Sequence, residues 1–431
     1  MRQSGPRHPV PLPSRLAVGE LAWRSVCAVG AALDPEGGAL DPEGGALDPG
    51  GSASPDPDRI AAAYRSDRHL LVDGEAPDVW SPLSRFWRVS DGWVRTHGNY
   101  PHHSAALREG LGLPQDAGAA EVGEHLATMT AESASRAIVA AGGLCTSVGR
   151  EDADRDARLR THPLVETHRV VDAPARRMPS DSPAAPLWGI RVLDVTRVIA
   201  GPVATRTLAF AGADVLRIDS PQLVEPGWQH LDTGHAKRSA LLDVAADRPR
   251  LETLLADADV VVLGYRPAAL ARLGLSPTEL ARRHPHLIVA QLSAWPGDDS
   301  PRGFDSLVQA ESGISWIESS DGVTPGALPA QALDHSAGYL LAAAVSDALR
   351  RRAATGGGWL VRTSLRRVAA ELLGMPRSAE PAEYEAAPVQ TQEFEVAGQR
   401  VTTVAPAVRW RGSPELFRAP RPWGLDPAEW W

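Results

Sequence analysis

From Trp188 onward the chain alternates short apolar runs with longer amphipathic ones. RVLDV (191–195), ADVLRID (213–219), SALLDV (239–244), DADVVVLGY (257–265) and HLIVAQLSAW (286–295) have the length and apolar content of buried strands. Stretches such as PRLETLLADA (249–258) and SPTELARRH (276–284) separate them with a helical pattern. Strands alternating with helices predict a parallel sheet covered on both faces. Gly201-Pro202 predicts a helix to about Ala211, with proline near the first turn. ALDHSAGYLLAAAVSDALRRRAATGGG (332–358) predicts a long helix. Asp334 or Ser336 is placed to cap its start, three arginines fill its last turn, and glycines end it.

The front of the chain follows a different pattern. Leu16–Leu33 is apolar but interrupted by Glu20 and Arg24, which predicts a helix of the fold rather than a signal peptide. Residues 32–52 read ALDPEGG, ALDPEGG, ALDPGGS. Proline and glycine in every copy forbid a coiled coil, and the acidic residues are too sparse for a calcium loop. These repeats predict a flexible surface insertion. Residues 60–145 read as mainly helical, with a hairpin in FWRVSDGWVRTHG turning at Asp91-Gly92. Residues 170–187, rich in Pro, Ala and Ser, read as a linker. The tail from Pro376 is rich in Pro and Trp, and TQEFEVAGQRVTTVAP (391–406) is its one expected hairpin. The expected divisions are 1–58 for the first helix and repeats, 59–175 for a small α+β domain, 176–186 for the linker, 187–376 for the α/β domain and 377–431 for the tail.

Composition narrows the possible partners. The 431 residues leave room for two or three domains. A formal net charge of −9 argues against a general affinity for nucleic acid, while permitting a local basic pocket. Cys27 and Cys145 are far apart, so no disulfide framework is expected and a cytoplasmic location fits. No apolar run has the length of a membrane span. Neither His102-His103 nor the pair His284 and His286 has the spacing of a metal set, so no metal is expected.

The carboxyl ends of parallel strands are where such a sheet binds ligands. Val198-Ile199-Ala200-Gly201 lies at one of these ends, followed by a helix whose first N–H groups suit a phosphate or carbonyl. A plain structural turn fits these residues equally well. The turn has one glycine where a dinucleotide site would have three, which makes a nicotinamide oxidoreductase a poor reading.

GIRVLDVTRVIAGPVATRTLAFAGADVLRID (189–219) resembles the opening of the class III CoA-transferases, of formyl-CoA transferase type. KRSALLDV, VLGYRPAALARLGL, HPHLIVAQLS, GFDSLVQAESG and ALDHSAGYLLAAAVSDALRRR follow in that family's order over about residues 187–370. The resemblance implies an α/β protein, with a Rossmann-like CoA-binding domain and a smaller α+β domain at the front. It implies coenzyme A as a substrate, with no permanently bound cofactor. The implied CoA contacts are Val198, Ile199 and Ala200 at the first turn, then Leu242, Tyr265, Arg272 and Arg302. Guanidinium forks at Arg272 and Arg302 suit phosphate oxygens. Asp334 matches the family's nucleophile, which carries CoA from an acyl-CoA donor to a carboxylic acid acceptor through an aspartyl intermediate. Read without the resemblance, Asp334 is a helix cap. A homodimer is implied, with a monomer as the alternative.

The pattern departs from the family in several places. Gly264 stands where an asparagine is common, and Ser220 and Ala245 replace basic residues. No glycine-rich loop of the formyl-CoA transferase kind is found, since Gly356–Gly358 ends a helix. WRVSDGWVRTHGNYPHHSAALREGLGLP (87–114) and HPLVETHRVV (162–171) resemble the family's small domain, yet they precede the CoA-binding part. A fused, decayed duplication accounts for that order. An acyl-CoA racemase of the same fold is an alternative, disfavoured because Phe304 replaces the histidine of its GHD motif. A non-catalytic CoA-binding or partner-binding remnant is the other alternative. His335, next to Asp334, is read as shaping the pocket or as exposed.

Overall fold

The computed structural model describes residues 9–35, 54–180, 182–298, 300–385 and 387–431. The repeats from residue 36 onward lie outside the described residues. Strands in chain order are β1 (Leu71–Val72), β2 (Phe86–Val89), β3 (Gly92–Thr96), β4 (Cys145–Ser147), β5 (Glu166–Val171), β6 (Arg191–Val195), β7 (Asp214–Asp219), β8 (Arg238–Leu241), β9 (Val260–Leu263), β10 (Ile288–Ser293), β11 (Gly358–Ser364), β12 (Thr391–Val396) and β13 (Gln399–Val404).

The central sheet has seven strands in the order β5-β11-β10-β9-β6-β7-β8. All neighbours are parallel except β5, which joins β11 antiparallel. The sequence-based division puts residues 166–171 in the small front domain, whereas the structure puts them in the large sheet. Their polar, exposed outer positions fit an edge strand. At the centre, β9 is VVVL and buried throughout, as a strand covered on both faces must be.

The chain runs outward from β6 through β7 to β8, then returns to place β9 on the other side of β6. The carboxyl ends of β6 and β9 therefore flank a topological switch point, the usual ligand crevice of such a sheet. One face of the sheet is covered by the fully buried helix Ala200–Phe210 and the 24-residue helix Ala332–Thr355. These two helices approach closely. A Cβ on Gly338 would stand 2.5 Å from the Ala200 carbonyl oxygen, so a larger residue would push them apart. The helix Val18–Leu33 packs its apolar side on the long helix, in keeping with its reading as part of the fold. Leu251, Leu254, Leu270 and Leu280 build the core on the opposite face.

The predicted hairpin forms from β2 and β3, and β4 extends it to a three-stranded sheet. Leu83, Trp87, Val94, Leu107, Leu126 and Ile138 form its separate core. The tail hairpin also forms, as β12 and β13, with β1 added at its edge. Beyond it, Asp426 pairs with the backbone of Ser239 and shields the β8 edge. Cys27 and Cys145 are free and buried. No helix among the described residues is long and apolar enough to cross a membrane.

Candidate functional site

A cavity of about 450 Å³ opens at the switch point. Its sheet side is made by Val195, Arg197, Val198 and Ala200 after β6, and by Gly264, Tyr265 and Arg266 after β9. Tyr100, His102 and His103 come from the front of the chain, and Arg302, Gly303 and Phe304 close the other side. Asp334 lines the same cavity. Residues from the front half therefore share one cavity with Asp334.

The turn after β6 is held in an unusual conformation. Val198 has φ of +73°, in the left-handed region that a β-branched residue avoids, at a cost of about 1–3 kcal/mol. Glu225 compensates by accepting the Val198 N–H at 3.0 Å. Arg197 donates to Glu225 at 2.7 Å, and Arg217 lies 3.5 Å from it. Burial pushes the Glu225 carboxyl up, but Arg217 and Arg197 outweigh it and hold the group below its usual range. Under the turn, Lys237 donates to Asp194 at 3.1 Å and to Thr205 at 2.6 Å, with burial drawing its ammonium down to about 8. A Cβ on Gly201 would lie 2.3 Å from that of Thr196, so glycine is required there.

Asp334 does not cap the long helix. The N-cap residue is Gln331, which makes no side-chain cap bond, and Asp334 lies within the first turn. The cap comes from another element. Asp305 is the first residue of the helix Asp305–Glu311, and its Oδ2 accepts the Asp334 N–H at 3.0 Å. Gln309 donates to the other Asp305 oxygen and accepts the Leu328 N–H at 2.9 Å. Ser336 is also excluded as the cap, since its hydroxyl pairs with Tyr64 at 2.8 Å.

Asp334 is 6% exposed, and its side chain makes no hydrogen bond to the described residues. Burial raises its carboxyl well above the ordinary range, and the nearby Asp305 charge adds to the rise. Burial also raises Asp305, to about 6, against the bonds it accepts from Asp334, Gln309 and Leu333. Both carboxyls are thus shifted in the direction that favours the protonated form.

Of the residues singled out from sequence, Val198, Ala200, Leu242, Tyr265, Arg302 and Asp334 share the cavity. Ile199 does not. It lines a small neighbouring pocket with Tyr64, Asp232 and His335. Arg272 is exposed and does not line the cavity, although its charge, with that of Arg302, acts on Arg266. The exposed reading of His335 is overturned. It is 3% exposed, stacks on Tyr64 at 5.1 Å, and burial takes its imidazole down to about 3.

Arg197 and Arg266, next to positions already singled out, escaped the sequence reading, as did Tyr100. Gly264, Ser220 and Ala245 all line the cavity. A Cβ at Gly264 would meet that of Thr196 at 3.1 Å, so the asparagine common in the family would crowd this turn. Arg266 and Arg302 bring positive charge to the lining where Ser220 and Ala245 do not, while Arg197 is paired with Glu225.

Residues 187–408 match the model of CoA-transferase family III. The chain belongs to that family. The match extends past the segment in which the resemblance was read and takes in β12 and β13. A probable fatty acyl-CoA transferase of Mycobacterium tuberculosis is 36% identical over 213 residues, covering 45% of this chain and 54% of that protein. The cinnamoyl-CoA:phenyllactate CoA-transferase of Clostridium sporogenes is 30% identical over 209 residues, covering 43% and 50%. A crystal structure of a hypothetical protein from Mycobacterium tuberculosis matches with a TM-score of 0.41 and 34% identity, over 44% of this chain and 56% of that one. The chain thus spans about half the length of the curated relatives it matches.

Proposed function

We propose that the protein moves coenzyme A from an acyl-CoA donor to a carboxylic acid acceptor, with Asp334 as the nucleophile. The carrying observation is that Asp305 supplies the helix cap, which leaves the Asp334 carboxylate without a structural partner and on the wall of the cavity. The relatives named as CoA-transferases support the same reading.

In this reading CoA lies against Val198, Ala200, Leu242 and Tyr265, with its phosphates toward Arg302, Arg266 and the more distant Arg272. The Asp334 carboxylate attacks the thioester carbonyl. The carbon–sulfur bond breaks, CoA leaves as a thiolate, and an aspartyl mixed anhydride remains. The thiolate attacks the aspartyl carbonyl, which releases the donor acid and forms an aspartyl-CoA thioester. The acceptor carboxylate then repeats these steps in reverse. The sequence needs Asp334 ionised, so its raised pKa places an acid limb on the activity.

Calorimetric titration with free CoA tests the binding half. Saturable binding, weakened more by Arg302→Ala than by Arg272→Ala, is expected. No binding at millimolar CoA refutes the reading. Transfer assayed with a panel of acyl-CoA donors tests the rest, and full activity in Asp334→Ala refutes the covalent route.

His102 and His103 give the racemase reading a specific basis, since both line the cavity with Asp334. Burial, helped by His102, Arg302 and Arg197, takes His103 down to about 3, which keeps it neutral but makes it a weak proton acceptor and leaves this reading second. Solvent deuterium entering the α-carbon of an acyl-CoA without CoA transfer would favour this alternative.

A further inference from the structure

A second cavity, of about 300 Å³, lies between the β2–β3 hairpin and the helix Asp305–Glu311. Trp80, Phe86, Arg95, Ser306, Leu328 and Gln331 are among its walls. Arg95 is 9% exposed. Its guanidinium stands over two rings, 4.9 Å from the centroid of Phe86 and 5.4 Å from that of Trp80. Its Nε is buried without a hydrogen-bond partner, and among the described residues burial and Arg85, not a carboxylate, act on its charge. The Ser306 hydroxyl is likewise buried and unpartnered.

A cation held this way is costly, because the rings replace only part of the lost hydration. Burial and the like charge of Arg85 draw Arg95 down to about 10, the direction a missing counter-ion gives. Asp67 and Arg68 complete the ionisable lining, and Arg68 donates to the Pro329 carbonyl at 2.7 Å. With one acid and two arginines, the walls leave one net positive charge.

We propose that this cavity binds an organic monocarboxylate, held by the Arg95 guanidinium and the Ser306 hydroxyl. One planar fork and one hydroxyl suit the two oxygens of a carboxylate. The single net charge does not suit a phosphate dianion, and the aromatic and aliphatic walls receive an apolar remainder. The cavity is separate from the one containing Asp334. Gln309 lies between them, lining this cavity while bonding Asp305.

Benzoate is a suitable probe, titrated into the full chain without CoA and followed by ligand-observed NMR or tryptophan fluorescence. Saturable binding is expected, weakened about tenfold or more by Arg95→Gln and a few-fold by Ser306→Ala. It should be unchanged in Asp334→Asn, persist in saturating CoA, and resist inorganic phosphate. No saturable binding at tens of millimolar benzoate overturns the proposal. So does displacement by CoA, equal competition by phosphate, or full affinity in Arg95→Gln. If Arg95→Gln does not fold, Trp80→Ala with Ser306→Ala decides, and full affinity in both overturns the proposal. The titration contains no CoA, so its failure leaves the reading of Asp334 intact, and the converse also holds.

Discussion

Asp305 and Asp334 each occupy the first turn of a buried helix, yet their carboxylates have different surroundings. Asp305 accepts backbone N–H groups from the neighbouring helix and a side-chain bond from Gln309. Asp334, donating its own N–H to Asp305, keeps its oxygens clear of hydrogen bonds to the described residues and lines the cavity. The same residue type in the same local setting is held by hydrogen bonds in one case and faces a cavity in the other. The difference comes from a contact 29 residues away in sequence, which no local capping rule contains.

The largest expected effect that would break this contrast is on turnover. Asp334→Ala should lower CoA transfer by on the order of 10⁴-fold or more while CoA affinity in calorimetry stays near wild type. Asp305→Ala should act chiefly on stability. It leaves the long helix uncapped and Gln309 without its acceptor, and chemical denaturation should show a loss of about 1–2 kcal/mol.

A subtler pair of substitutions separates charge from shape. Asp305→Asn keeps an oxygen for the cap but removes the negative charge that helps raise Asp334. The acid limb of kcat/KM should therefore move to lower pH in that variant. Asp334→Asn should raise Tm at pH 7. The folded state holds the proton of Asp334 more tightly than the unfolded chain, so stability falls as pH rises from the unfolded value of 3.8 through the folded one. The amide removes this loss, and its advantage should vanish below about pH 4.

The smallest effect concerns the cavity's sheet side. Gly264→Asn should cost about 1 kcal/mol or more, because the new Cβ approaches Thr196, and should not improve CoA affinity in titration.

Regions with a strong periodic pattern were readable in advance. The strands from β6 to β10 occur where short apolar runs predict them, and the long helix and both hairpins also form where expected. Val198, Leu242, Tyr265 and Asp334 follow strand ends or open a helix, and they share one cavity. The rest was hidden for physical reasons. Arg197 and Arg266 are single polar residues in turns, and only the register of β6 and β9 aims them into the crevice. Tyr100 and His103 reach the site through the packing of the front segment, where ring contacts with Phe304 replace any sequence signature. β5 reads as polar because an edge strand faces solvent on one side.

That edge strand has a mechanical consequence. β5 belongs to the front half in sequence, but it is laced to β11 along Gly358–Arg362. A protease cut in the segment 172–187 would sever the covalent link without separating the pieces, because the sheet itself is the seam. The two fragments should travel together through gel filtration and part only in denaturant, so neither half can be detached from the other as an independent module.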